Sequence, residues 1–150
     1  MGVINIIKET ATEVGITAFV TNSDSKIEAQ LNRLTDLAEL PIALVPWDFT
    51  TTVQFDENGF LRNPTTPITM LLLTKVEDRT SDYDEAAAEM GDLFLTFIKA
   101  LRPKLVPFNR GLSNDNIITS INYDAVPKYG LGKHSGVVGK FTMIGDLSNC

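Results

Sequence analysis

The chain has 150 residues, of which 43% are hydrophobic and 21% charged, and a formal charge of −6. That length suits one domain with a full core, and the composition is that of a globular protein rather than a disordered or fibrous one. The acidic balance argues against a nucleic-acid reader, which is usually basic outright. The longest apolar runs, such as Met70–Leu73, fall far short of the roughly 20 residues that a spanning helix needs.

Residues 3–14 place Ile4, Ile7, Ala11 and Val14 at spacings of three and four, one apolar stripe of a helix. Gly15 stops that helix in the usual C-terminal position. Ile16–Val20 is short and rich in β-formers, a strand. Asn22, Ser23 and Asp24 cap a second helix over 25–39, where Ile27, Leu31, Leu34 and Ala38 recur at helical spacing. Pro41 ends it by disfavouring helical geometry in the residue before it. Ile42–Phe49 reads as a strand carrying Trp47, with Pro46 marking an edge or a bulge. Thr50–Phe55 continues in β-favouring residues. Asp56-Glu57-Asn58-Gly59 is a hairpin signal, because Asn-Gly accepts the positive φ of tight turns. Phe60–Arg62 begins the return, and Asn63–Pro67 is a loop. Ile68–Val76 is the most apolar strand and belongs at the centre of a sheet.

The longest helix is expected from Asp82 to Leu101, after Thr80-Ser81, with Asp82 and Glu85 forming a start like a capping box. Tyr83, Ala87, Met90, Phe94, Phe97 and Leu101 make its apolar stripe. Acidic residues crowd its first turns and Lys99 and Arg102 its last, which suits the helix dipole, and Pro103 ends it. Residues 104–116 read as a loop. Asn116–Tyr123 alternates Ile117, Thr119, Ile121 and Tyr123, a strand. Residues 124–135 read as a Gly-rich loop and Val137–Leu147 as a last strand, in which Gly139 marks a bulge or a close backbone approach. The expectation is one α+β domain over 1–150, with extended loops near 50–67 and 124–136. Its sheet is mostly antiparallel, with helices packed on one face in the order α-β-α-β-β-β-α-β-β.

The charge is unevenly spread: residues 1–92 hold 16 acidic and 6 basic side chains, and residues 93–150 hold 3 and 7. One reading is chance plus an acidic helix start. The other is a dipolar subunit whose faces attract one another head to tail. The opening Met1-Gly2-Val3-Ile4-Asn5 lacks the basic region and cleavage site expected of a signal peptide, and Ile6 stands where a myristoylation motif wants Ser or Thr. Cys150 is the single cysteine, so a reducing compartment is expected.

Few residues point to chemistry. His134 is the only histidine and reads as a solvated loop residue. A general-base role would need an orienting partner supplied by the fold. One histidine and one cysteine cannot make a multi-ligand zinc site. Tyr129–Lys140 looks like a phosphate loop, but Pro127 and His134 stand where the Walker pattern needs glycine. It also leads into a strand rather than a helix. A flexible hairpin arm, basic and glycine-rich enough to reach a neighbouring subunit, is the better reading. Glu85, Glu89 and Asp92 share one helix face with Asp82 and Asp84 nearby. They read as a solvated or interface face rather than a two-metal site. Trp47 reads as a core or interface anchor, with ligand stacking as the alternative. No Gly-x-Ser-x-Gly elbow occurs.

The order of elements resembles that of tailed-phage tail-terminator, tail-completion and neck-ring (head–tail joining) proteins. The matching pieces are the opening helix around Ile4, Ile7 and Ala11, and the strands Ala43-Leu44-Val45-Pro46-Trp47 and Thr69-Met70-Leu71-Leu72-Leu73. The long helix Asp82–Leu101 and the closing Gly136-Val137-Val138-Gly139-Lys140-Phe141-Thr142-Met143 complete them. The helix over 25–39 is the point of departure. The resemblance covers nearly the whole chain, is architectural, and rests on no diagnostic motif. It implies a structural virion protein, not an enzyme, without cofactor or membrane. Such a protein assembles in the host cytoplasm as a homo-oligomeric ring of six or twelve copies at the head–tail connector or tail terminus. Its partners would be other neck or tail proteins, with non-specific contact to DNA in the channel. The candidate subunit interface is Trp47, Phe55, Phe60, Glu85, Glu89, Asp92, Lys133 and Lys140. The alternative is a bacterial α+β ligand-binding or regulatory domain without catalytic activity. A third possibility is a small hydrolase using His134.

Overall fold

The computed structural model describes residues 3–16, 18–22, 41–46, 52–60, 64–75, 80–106, 117–129 and 134–144. Helix α1 spans Val3–Glu13. Ile6, Ile7 and Ala11 are buried on one side of it, and Lys8, Glu9, Thr12 and Glu13 face water. Thr10 is also fully buried, but its hydroxyl donates to the Ile6 carbonyl at 2.7 Å, so its burial leaves no orphan polar group. Gly15 ends the helix at φ 95°. The Gly15 N–H donates to the Thr12 carbonyl at 3.2 Å and the Ile16 N–H to the Ala11 carbonyl at 3.0 Å. This is the paired closure of a Schellman motif, which a residue with a Cβ adopts only at a cost.

Five strands follow as one sheet: β1 (Ala18–Asn22), β2 (Ile42–Pro46), β3 (Thr65–Lys75), β4 (Ile118–Tyr129) and β5 (His134–Ile144), in the order β1-β2-β3-β5-β4. The β2–β3, β3–β5 and β4–β5 pairs are antiparallel, and β1 runs parallel to β2. The chain is therefore α+β with a mostly antiparallel sheet, as expected. A parallel neighbour needs a crossover of about a dozen residues or more, and segment 23–41 is long enough to supply one. The helix read over 25–39 falls in that segment and lies outside the described residues. In β2, Ala43 and Val45 join the helix-side core while Ile42 and Leu44, on the other face, are equally buried. A strand covered on both faces is why Ile42–Val45 is apolar without alternation.

β3 sits at the centre of the sheet. Ile68, Met70 and Leu72 point into the core, while Pro67 and Thr69, on the opposite parity, are exposed. The strand begins at Thr65, earlier than the two prolines suggest. The Thr65 N–H points away from β5, donating to the Thr52 carbonyl at 2.9 Å. Alternation along the strand puts the Pro67 nitrogen on that same side, where β2 does not reach because its pairing covers only Leu71–Leu73. The proline therefore withholds a donor where no ladder partner waits for it.

Helix α2 spans Thr80–Leu105. It buries Ala87, Met90, Phe94, Phe97 and Leu101 as their spacing predicts, and Ala86, Ile98 and Leu105 beside them. Pro103 does not end it. The proline is exposed and lies in the last turn, where its missing N–H removes only the bond to the Lys99 carbonyl. The burial of Leu105 holds the final turn in place. α2 lies across β5 and β4 with α1 packed beside it. Residues of both helices and the inward parity of the strands form one core, centred on Phe94, Phe97 and Phe141. Lys104 Nζ near the end of α2 lies 2.6 Å from Glu13 Oε1 at the end of α1. That pairing sets a cation at one helix C-terminus and offsets the unfavourable placement of an anion at the other.

Further expectations need correction. Of the strand read over Thr50–Phe55, the described residues 52–55 form no continuous ladder: Thr52 is bridged to Thr65 and Phe55 lies in a second isolated bridge. Residues 124–129 are not a loop, because β4 continues through them to Tyr129. His134 begins β5 rather than sitting in a loop, paired with Tyr129 and Lys75. β4 lacks a clean strand pattern because it is an edge strand. It carries Pro127, and one-residue bulges between Thr119 and Asn122 and between Val126 and Tyr129 break its alternation. Ser120 within the first bulge has φ 56°. No described helix is long and apolar enough to cross a membrane.

Candidate subunit interface

The segment between β2 and β3 makes an excursion whose base is fixed and whose tip is apolar. Thr52 and Thr65 exchange two backbone hydrogen bonds, of 2.8 and 2.9 Å. At the tip, the Asp56 N–H donates to the Phe60 carbonyl at 2.8 Å and the Gly59 N–H to the Asp56 carbonyl at 3.1 Å. The Asp56 side chain takes the rest, Oδ1 accepting from the backbone N–H groups of Asn58 and Phe60, both at 2.9 Å. The residue order Asp-Glu-Asn-Gly matches this geometry, with Asp favoured at the first and Gly at the last position of a type I turn. Gly59 alone takes positive φ, at 82°. The turn is thus a three-residue loop closed by a left-handed glycine, not the two-residue Asn-Gly form in which both central residues do so. A side chain of Asp56's length decides between them by bridging the loop.

This clamped turn presents Val53, Phe55 and Phe60 to water at 52%, 69% and 71% exposure. Isolated exposed apolar residues are ordinary, but three on one short hydrogen-bonded turn are not. Phe55 and Phe60 are candidates that the structure brings together. Val53 is not among the candidates, although the alternation Thr52-Val53-Gln54-Phe55 places it on the same side as Phe55.

The other candidates do not join that turn. Glu85, Glu89 and Asp92 are all exposed on α2, at the spacing of one helix face. Lys140 is exposed on β5. It points away from α2, because its neighbour Gly139 faces the Phe94 ring and alternate strand residues face opposite sides. The described candidates therefore fall on three surfaces: a turn, a helix face and the outer face of the sheet. Trp47 and Lys133 lie outside the described residues.

A second partly apolar surface lies along the flank of α2. Tyr123 of β4 is 42% exposed and Leu95 of α2 is 39% exposed. Tyr123 lies against Gly91, where a Cβ would meet its ring at 2.8 Å, and it packs edge-on against Phe94 with centroids 6.0 Å apart. Leu95 is one turn beyond Gly91, and the exposed Lys99 is one turn beyond Leu95. The sequence hides this surface because Leu95 sits between core residues Phe94 and Phe97. Its angular position, shared with Lys99, is the available signal.

Among the described residues, no three His, Cys, Asp or Glu side chains gather to hold a metal ion. No family model matches the chain, and no curated protein matches it.

Proposed function

We propose that this chain is a structural virion protein of a tailed phage and acts by assembling rather than by turnover. In this reading it is one copy of a homo-oligomeric ring of six or twelve at the head–tail connector or tail terminus, around the DNA path. The observation that carries the reading is the turn at 52–60. Two phenylalanines held mostly in water by a turn that Asp56 locks are expensive for an isolated molecule and useful for an assembling one. Aromatic side chains dominate the buried centres of protein interfaces, and locking the turn beforehand removes an ordering cost from association. The order of helices and strands, which resembles that of neck-ring and tail-terminator proteins, supplies the assembly class. The uneven charge along the chain suits a head-to-tail contact, the geometry that closes a ring.

The test is the mass of the purified protein by light scattering and native mass spectrometry over a range of concentration. A single closed species of six or twelve copies, visible as a ring by electron microscopy, supports the proposal. A monomer at every concentration that binds a small metabolite supports the ligand-binding alternative instead.

A further inference from the structure

We infer that the contact between copies seats Phe55 and Phe60 of one chain on the Tyr123–Leu95 surface of the next, with Glu57 of the turn set against Lys99. The inference rests on the ring reading and names the surfaces that would build it. Two exposed apolar surfaces have been described, and they differ in kind. The turn is convex, presents two rings and a valine, and carries the exposed Glu57 at its tip. The flank of α2 has a tyrosine lying over a glycine, then a leucine, then the exposed Lys99. Tyr123 offers a ring to the incoming phenylalanines, and aromatic pairs favour edge-to-face and offset arrangements. The charges are opposite and each lies at the margin of its apolar patch, where charges direct docking and fix register.

A contact between two different surfaces of the same chain is heterologous, so each copy donates with one surface and receives with the other. Extension of the sheet from copy to copy through β4 is the competing geometry. β4 is a sheet edge, but it carries two bulges, and Ser120 within one of them is left-handed. Bulges twist an edge away from regular pairing, which leaves side chains as the means of contact at this edge.

The experiment uses the full chain in sedimentation velocity. Phe55→Ser/Phe60→Ser and Leu95→Asp each change side chains that are already exposed, and circular dichroism checks that both variants fold. Each is expected to be monomeric where the unaltered protein assembles. Mixed together, they are expected to form a one-to-one heterodimer that stops there, because each retains the surface that the other has lost. Glu57→Lys and Lys99→Glu are each expected to weaken assembly by about tenfold, the order of effect of a rim charge reversal, and the double reversal is expected to restore it. If the unaltered protein assembles but Leu95→Asp and Lys99→Glu assemble as well as it does, the receiving surface is wrong and the ring reading stands. Two monomeric variants that stay monomeric on mixing overturn the pairing. An unaltered protein that remains monomeric throughout removes the ring reading and this contact together.

Discussion

The ring of Phe94 occupies the place that a Cβ on Gly139 would take: built there, the atom would lie within 2.7 Å of Phe94 Cδ1, with Cε1 and Cζ closer still. Phe94 is fully buried and is held on a further side by the buried Phe141 ring at a centroid distance of 6.2 Å. A close-packed ring with fixed neighbours cannot step aside cheaply. Gly139→Ala is expected to destabilise the chain by about 1–3 kcal/mol, the usual range for overpacking. Phe94→Leu in the same chain should return part of that loss, since the smaller side chain vacates the clash. A double-mutant cycle by urea unfolding measures the coupling, and additive losses would show that the two positions do not share this space.

Three glycines meet different obstacles and should rank accordingly. A Cβ at Gly136 would run into the carbonyl of Leu72 in the neighbouring strand. Backbone in the middle of a sheet cannot give way, so Gly136→Ala should cost more than Gly139→Ala and leave little folded protein. At Gly91 the obstacle is the Tyr123 ring, at 2.8 Å, and that ring is 42% exposed and free to swing outward. Alanine there also gains up to about 1 kcal/mol of helix propensity, so Gly91→Ala should be close to neutral. Unfolding midpoints in the order Gly91→Ala, Gly139→Ala, Gly136→Ala, from highest to lowest, are the expected result.

Phe97 carries the largest expected loss from a cavity. It is fully buried, and its ring packs against Phe141 at a centroid distance of 6.2 Å. Phe97→Ala removes these contacts in a site that cannot collapse, at about 3–5 kcal/mol. A loss under about 1 kcal/mol by chemical denaturation would mean that α2 does not pack on β5 as described.

What the sequence discloses follows from where periodicity is clean. The stripe Ala87, Met90, Phe94, Phe97 and Leu101 is legible because one face of α2 is dry and the other wet. Gly15 is legible because left-handed closure has a residue signature. The true end of α2 was hidden because Pro103 signals a stop that the burial of Leu105 overrides. β4 reads as shorter than it is because its bulges shift the period mid-strand. The start of β3 is not legible because the harmlessness of Pro67 depends on where β2 stops pairing, which is a non-local fact. At the candidate interface, the turn chemistry of Asp56–Gly59 was readable. The exposure of Phe55 and Phe60 was not, since the same β-like pattern would serve a buried hairpin.

The Glu13–Lys104 pair joins the ends of the two helices with its partners unequally placed: the Glu13 side chain is 59% exposed, whereas Lys104 is 28% exposed and its Nζ is covered. Exposed pairs contribute about 0.2–1 kcal/mol, and salt screens them. Lys104→Ala leaves the exposed Glu13 carboxylate to water and removes the cost of covering Nζ, so it is expected to lower stability by less than about 1 kcal/mol at low ionic strength, with the difference fading towards molar salt. A loss that persists unchanged in high salt would point instead to lost packing of the lysine stem.

Asp56 tests whether the turn matters as a shape or only as a set of residues. Its Oδ1 accepts from the N–H groups of Asn58 and Phe60, and both donors are exposed, so water replaces the carboxylate when it is removed. Asp56→Ala should then cost global stability only about 0.5–1.5 kcal/mol. The larger effect falls on assembly, because a turn that must be ordered during docking adds an entropic cost to binding. Several-fold weaker association is expected for Asp56→Ala, with faster amide exchange at Phe60. Asp56→Asn keeps an acceptor oxygen at the same position and should retain both slow exchange and assembly. If Asp56→Ala and Asp56→Asn associate alike while Phe60 exchange differs between them, then the phenylalanines do not need a preformed turn, and the entropic part of the argument fails while the contact itself survives.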